Sequence, residues 1–259
     1  MTDAHRIRIA VAIARSGRTS RRGAESLIRD GRVSVDGERV ADFSLRVDPD
    51  QHQITIDGTP LPKTEPLRYY ALNKPRGVLS SARDERGRTT VVDLLPQHAP
   101  RCVPVGRLDL DSEGLMLLTN DGPLVRGLLH PSSEVQRVYL VEVVGAPTND
   151  QLDRINDGIV DDGERLQAKP ARSRRPGRRL RSGRETSWLT LTLHTGRKRE
   201  VRRLCEAIGH HVVTLRRVRF GPLLLRDLAS GVVRPLSRRE IRMLRRAAGI
   251  GSDSSEREP

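Results

Sequence analysis

One carboxylate in this chain stands where a carboxylate can do chemistry. Asp109 follows Gly106-Arg107-Leu108, and Leu110, Asp111, Ser112 and Glu113 come after it. An apolar run from Gly114 to Thr119 is next, closed by Asn120-Asp121-Gly122. The run is short enough to be a buried strand, and Asn-Asp-Gly predicts the turn that ends it. An acid on a loop that a buried strand anchors is held still at the edge of a cleft. The other reactive side chains form no comparable group. His210 and His211 adjoin each other without a third ligand spaced for a metal, and His130 and His194 read as structural. Ser112 lacks the Gly-x-Ser-x-Gly elbow of a nucleophilic serine. Cys102 and Cys205 are too isolated for a metal site or a disulfide framework, and reduced thiols are the simplest account. No metal and no cofactor are expected.

Two blocks of structure have to position that loop. Residues 6 to 16 carry Ile7, Val11 and Ala14 at helical spacing, with Gly17 as the stop. Thr19 or Ser20 caps a second helix that runs to about Asp30, before Gly31. Val33 and Val35 alternate into an Asp36-Gly37 hairpin turn, and Ile54 and Ile56 into Asp57-Gly58. Pro60, Pro62 and Pro66 mark a connection. Beyond it, Tyr69 to Val78 reads as a strand entering a Lys74-Pro75-Arg76-Gly77 turn, and Ser133 to Gly145 as a strand with Val135, Val138, Leu140 and Val143 apolar. Leu189, Leu191 and Leu193 alternate in another strand, a helix follows toward Gly209, and Ser237 with Glu240 forms a capping box for a last helix to about Ala248. The expected fold is α+β: a small helix-helix-strand domain over residues 1–61, a linker over 62–67, a domain with a mixed, mostly antiparallel sheet and a central cleft over 68–249, and a disordered tail over 250–259.

The charge points to a polyanion. The chain has 259 residues, with 47 Lys and Arg against 33 Asp and Glu, for a formal charge of +14. Such an excess gains free energy from phosphates by releasing their condensed counterions. Between Arg15 and Arg32 lie six arginines, among them Arg18, Arg21 and Arg22, against Glu25 and Asp30. From Lys169 to Arg203 thirteen basic residues face two acids. The stretch 169–184, broken by prolines and glycines, is expected to be a mobile basic insertion. No apolar stretch is long enough for a signal peptide or a membrane span, so a cytoplasmic location away from membranes is expected.

Four segments together resemble one family. Gly106 to Gly122 closely resembles the central motif of the pseudouridine synthases, in particular the RsuA/RluB branch that modifies ribosomal RNA. The Lys74-Pro75-Arg76-Gly77 turn, Arg137-Val138-Tyr139, where the family shows Lys-x-Tyr, and Thr195 to Cys205, with Arg199-Glu200-Val201-Arg202-Arg203, continue the likeness. Residues 1–61 are similar to the small RNA-binding domain shared with ribosomal small-subunit protein four, through Ser20-Arg21-Arg22, Ala24-Glu25, Ile28 and Gly31 to Gly37.

The resemblance implies isomerisation of uridine to pseudouridine, with Asp109 as the catalytic acid, nucleophile or base toward the ribose. It implies that Arg202 pairs with Asp109, with Arg107 as second choice or as a hold on the flipped nucleotide. Tyr139 becomes the active-site tyrosine and Leu204 a lining of the base pocket. Lys74, Arg76, Arg197 and Lys198, with Arg18, Arg21, Arg22 and Arg32 of the first domain, become RNA contacts. Asp111 and Glu113 are expected to point away from the cleft. The partner implied is ribosomal RNA, by preference of the large subunit, within an assembling subunit, and the enzyme is expected to be a monomer. The alternative is a ribosome-associated RNA-binding module without activity, in which Arg202 lies far from Asp109.

Overall fold

The computed structural model describes residues 6–62, 65–173 and 175–250. The chain falls into two compact units that divide between Leu67 and Arg68. The expected tail over 250–259 lies outside the described residues from 251 onward, as do residues 63 and 64 of the expected linker.

The first unit runs β1 (Ile7–Arg8), α1 (Ile9–Arg15), α2 (Arg21–Arg29), β2 (Val33–Val35), β3 (Glu38–Arg39), β4 (Arg46–Val47), β5 (Ile54–Ile56) and β6 (Thr59–Pro60). The stripe expected for α1 is not the one that is buried. Ile9, Ala10, Ala12 and Ile13 are buried, whereas Val11 and Ala14 are only half-buried and Ile7 sits in β1, paired to Val47. Several small apolar residues in a row leave more than one face open to choice, and packing on α2 and the hairpins decides it. Ser20 caps α2 as expected, its side chain accepting from the Gly23 N–H at 3.0 Å. Both hairpins form about Asp-Gly turns with positive φ, 51° and 87° at Asp36-Gly37 and 50° and 75° at Asp57-Gly58. These are the values a tight hairpin with matching twist needs. The sheet order is β3-β2-β5-β6.

The second unit is built on one nine-stranded sheet. Its elements are β7 (Tyr69–Lys74), β8 (Val103–Pro104), β9 (Glu113–Thr119), α3 (Gly122–Leu129), β10 (Arg137–Val144), α4 (Asn149–Asp157), the separate hairpin β11 (Ile159–Asp161) and β12 (Glu164–Leu166), β13 (Lys169–Arg172), β14 (Thr186–Leu193), α5 (Glu200–Ala207), β15 (Val212–Phe220), β16 (Leu223–Leu224), β17 (Val233–Pro235) and α6 (Arg238–Ala247). The order is β13-β14-β10-β15-β9-β7-β17, with β8 on β9 and β16 on β15. Every pairing is antiparallel except β15 with β9. Apolar side chains leave both faces. Leu72, Met116, Tyr139, Val141 and Leu191 enter one cluster with Leu152 and Ile155 of α4 and Val201, Leu204 and Cys205 of α5. Tyr69, Ala71, Leu115, Leu117 and Phe220 enter the other with Leu124 and Leu128 of α3 and Leu244 of α6.

Two of these elements depart from expectation. Asn120-Asp121-Gly122 is not a plain turn: Asp121 caps α3 by accepting from the Leu124 N–H at 3.1 Å, with Pro123 in the first turn. The stretch 169–184 is not a formless insertion. Its first residues are β13, and further on the backbones of Arg179 and Glu185 pair in an antiparallel bridge.

Candidate active site

Asp109 lies half-buried on the loop between β8 and β9. Three contacts fix that loop through its backbone. Lys74, at the end of β7, has no exposed surface and donates from Nζ to the carbonyls of Ser112 (2.7 Å), Pro75 (3.0 Å) and Asp109 (3.2 Å). Ser80 accepts from the Leu108 N–H at 3.0 Å and donates to the Leu108 carbonyl at 2.6 Å. The Gly77 N–H donates to the Leu110 carbonyl at 2.8 Å. A side chain that packs inward, Leu108, thus alternates with one that is left at the surface of the loop, Asp109. Burial pushes the Lys74 amine down to about 8, against the opposing pull of Asp111, Asp109 and Glu113. Lys74 is therefore a strut under the loop and does not reach solvent, contrary to its expected role as a phosphate contact.

Arg202 comes to this loop from α5, but not to the expected partner. Its Nη2 lies 2.8 Å from Asp111 Oδ2 and 3.4 Å from the Asp111 carbonyl, and its Nη1 donates to the Val212 carbonyl at 3.4 Å. The guanidinium is nearly buried, with its side chain 6 % exposed, while that of Asp111 is 52 % exposed. Among the described residues, no cation lies within 4.0 Å of the Asp109 carboxylate and no donor bonds to it. The predicted Arg202–Asp109 pair is thus replaced by a pair two residues on, Arg202 with Asp111. Arg107 is exposed and, among the described residues, enters no ion pair within 4.0 Å. Glu113 lies 4.0 Å from Arg76 and 3.9 Å from Arg216, and Arg76 also donates to the Val213 carbonyl at 2.6 Å.

Tyr139 is buried in β10, opposite Leu191 and Arg217, in the same cluster as Leu108 and Leu204. Leu204 has no exposed surface, so it backs this cluster as a wall and is not an open lining. Arg197 and Lys198 are exposed on the turn before α5. Glu200, itself buried, holds that turn by accepting from the Thr195 hydroxyl at 2.5 Å and the Arg197 N–H at 3.0 Å, and Glu164 lies 3.8 Å from Arg197. In the first unit Arg18, Arg21 and Arg22 are exposed. Arg32 is not a free cation: it forks onto Asp57, with Nε 2.9 Å from Oδ1 and Nη2 2.5 Å from Oδ2. Nothing in the residue pattern marks Ser80, whose role depends on a loop meeting; Glu200 stands in the Arg199 to Arg203 motif, but its hold on the preceding turn is not written there. Arg217, buried on β15, donates to the Leu115 carbonyl at 2.7 Å; the sequence marks it only through the family likeness around Leu215 to Leu223, without a role. No group of three or more His, Cys, Asp or Glu residues suited to a metal occurs among the described residues.

The RNA pseudouridylate synthase family model matches residues 68–207, and the S4 domain model matches residues 7–52. The chain belongs to the RNA pseudouridylate synthase family. It is 39 % identical to the ribosomal large subunit pseudouridine synthase B of Bacillus subtilis (strain 168), over 95 % of this chain and 99 % of that one. It is 42 % identical to the protein of the same name from Yersinia pestis, over 82 % of this chain and 67 % of that one. A crystal structure of a pseudouridylate synthase superimposes with a TM-score of 0.61 at 29 % identity, covering 92 % of this chain and 99 % of the other. The synthase is therefore an isomerase with an α+β fold and an S4 domain at its N-terminal side, and the reading as a module without activity is set aside. Among the described residues, no helix of the synthase is long and apolar enough to cross a membrane.

Proposed function

We propose that this synthase isomerises one uridine of large-subunit ribosomal RNA, with Asp109 as the group that acts on the ribose. The observation that carries the reading is the state of Asp109: its backbone is clamped by Lys74, while among the described residues no protein donor occupies its carboxylate. A carboxylate held in place yet left unpaired is ready for a reacting atom. The likeness to the Bacillus subtilis large-subunit enzyme over nearly the whole of both chains supports the choice of subunit.

The reaction breaks the bond from C1′ of the ribose to N1 of uracil and makes one from C1′ to C5. The C5 proton leaves and N1 gains one, so no oxidant or phosphate donor is consumed. Asp109 acts as nucleophile or base toward the sugar. Tyr139 stacks on the detached uracil and exchanges a proton through its phenol. Arg202, paired to Asp111, braces the loop that carries Asp109. The target must leave its stack, at about a few kcal/mol, and exposed Arg18, Arg21, Arg22, Arg197 and Lys198 offset this through phosphate contacts. The substrate is the assembling subunit, the enzyme acts as a monomer, and its place is the cytoplasm.

The test maps pseudouridines in ribosomal RNA from cells with the protein, without it, and with Asp109→Asn. One uridine should lose its mark in both deficient strains, and that uridine should lie in the large subunit. Retention of every mark in the Asp109→Asn strain overturns the role of Asp109.

A further inference from the structure

The basic stretch after β13 is tied down by a carboxylate that has no part in the chemistry above. Val141 and Val143 of β10 enter the cluster of Tyr139, so the pleat sends Glu142 to the opposite face of the sheet. There Glu142 is 1 % exposed. Arg178 forks onto it, Nε to Oε1 at 2.7 Å and Nη2 to Oε2 at 3.1 Å, and the hydroxyls of Thr186 and Thr214 donate at 3.0 Å and 2.7 Å. Burial works to raise the Glu142 carboxyl, but these donors outweigh it and hold it below the ordinary carboxylate range. A carboxylate is costly to bury unless its oxygens are met in this way.

What Glu142 secures is a tight hairpin. The Arg178 N–H donates to the Thr186 hydroxyl and the Thr186 N–H to the Arg178 carbonyl, both at 2.9 Å, and Leu180 closes on Arg184 at 2.8 Å. Gly177 lies so close that an added Cβ meets the Thr186 carbonyl oxygen at 1.8 Å. Beside it the Arg175 guanidinium rests 4.4 Å from the ring centre of Trp188, which is the register partner of Glu142. Arg175, Arg179, Arg181 and Arg184 are exposed, and among the described residues none has a carboxylate within 4.0 Å. Residues 175–184 contain no acid, and Glu185 follows them.

A merely solvated loop needs no buried carboxylate behind it. Fixing the arginines beforehand lowers the ordering cost of gripping a polyanion, and guanidinium forks match phosphate oxygens. We propose that the hairpin from Arg175 to Arg184, locked to Glu142, is a second RNA-docking surface, on the sheet face opposite Tyr139, which holds substrate phosphates away from the reacting nucleotide. This rests on the reading of the synthase as an enzyme of structured RNA.

The test measures binding of the full chain to a large-subunit RNA transcript across a salt series, together with single-turnover isomerisation at saturating enzyme. The triple variant Arg179→Ala, Arg181→Ala, Arg184→Ala should bind about tenfold or more weaker, with a salt slope smaller by about two to three, and should keep its saturated rate. Gly177→Ala, which moves the hairpin without changing charge, should weaken binding in the same direction. A control of equal charge, Arg238→Ala, Arg239→Ala, Arg242→Ala on α6, should do less. Unchanged affinity and slope in the hairpin triple, equal weakening in the control, or wild-type binding by folded Gly177→Ala overturns the docking surface. A wild-type chain that binds the transcript but isomerises no uridine overturns the proposed activity instead, and leaves the binding arms to judge the hairpin.

Discussion

Two carboxylates two positions apart compete for one guanidinium, and Arg202 is bound to Asp111. The spacing of residues could not settle this, because both acids lie on the same short loop and only its backbone path tells them apart. In this arrangement Asp111 neutralises a nearly buried cation and ties it to the loop that carries Asp109. Asp111→Ala leaves Arg202 with two long carbonyl bonds at 3.4 Å and no counter-charge. The expected loss is about 1–2 kcal/mol of stability, reduced for the half-exposed acid, and a ten- to hundredfold fall in kcat, on the order of what a misplaced group costs. Thermal melting and single-turnover kinetics check the two halves. Lys74 gives a pH prediction. Its folded pKa of about 8 lies below the ordinary lysine value of 10.5. Folding therefore opposes the charged form; the penalty is present in full below pH 8 and is relieved as pH rises from 8 to 10.5. Against a Lys74→Met variant, wild-type stability should climb across that window by as much as roughly 3 kcal/mol. Denaturation at pH 7.5, 9 and 10.5 reads it, and a flat difference refutes the assignment.

At the scale of elements, two features carry more than one duty. Asp121 caps α3 with Oδ1, while its Oδ2 accepts from the Tyr69 hydroxyl at 2.8 Å and faces Arg245 at 3.4 Å. Burial first, and Asp121 after it, push the Tyr69 phenol up to about 12. Asp121→Ala should cost about 2 kcal/mol, at the upper end for a cap, because a buried hydroxyl also loses its acceptor; urea titration measures it. Gly114 has φ +110°, and an added Cβ would stand 2.3 Å from the Arg217 carbonyl oxygen. Gly114→Ala should destabilise by about 3 kcal/mol or more, by forcing apart the parallel pair, and should fail to accumulate as folded protein. Legibility followed locality. The Ser20 cap, the Ser237–Glu240 box and both Asp-Gly hairpins are written in adjacent residues and were readable. The capping role of Asp121 was also readable, since Pro123 follows it and Leu124 and Leu128 stand at helical spacing, but the turn signal in Asn-Asp-Gly masked it. The ordered basic hairpin was not readable: its partner Glu142 is 36 positions from Arg178, and composition alone describes a solvated loop.

For the whole molecule, the excess of +14 is uneven in effect as well as in sequence. Arg32, Arg178, Arg202 and Arg203 are already committed to Asp57, Glu142, Asp111 and the Asp161–Glu164 pair. Among the described residues, the cations left for RNA are those without such partners, Arg18, Arg21 and Arg22 on and before α2, Lys198 before α5, and Arg175, Arg179, Arg181 and Arg184 on the hairpin. Binding through roughly six to ten phosphates should weaken by about 10³ or more between 50 and 200 mM salt. A filter-binding series checks this, and a salt-insensitive affinity excludes phosphate contacts as its source.

The parallel pairing of β9 with β15 joins positions 103 apart, and there Arg217 reaches the Leu115 carbonyl. Contacts so distant along the chain form late, after a large loop entropy has been overcome. During synthesis the Asp109 loop leaves the translating machine long before the strand that must flank it, and before the helix that brings Arg202. A nascent chain thus carries Asp109 without the frame around it, and can complete that frame only when its last third has emerged.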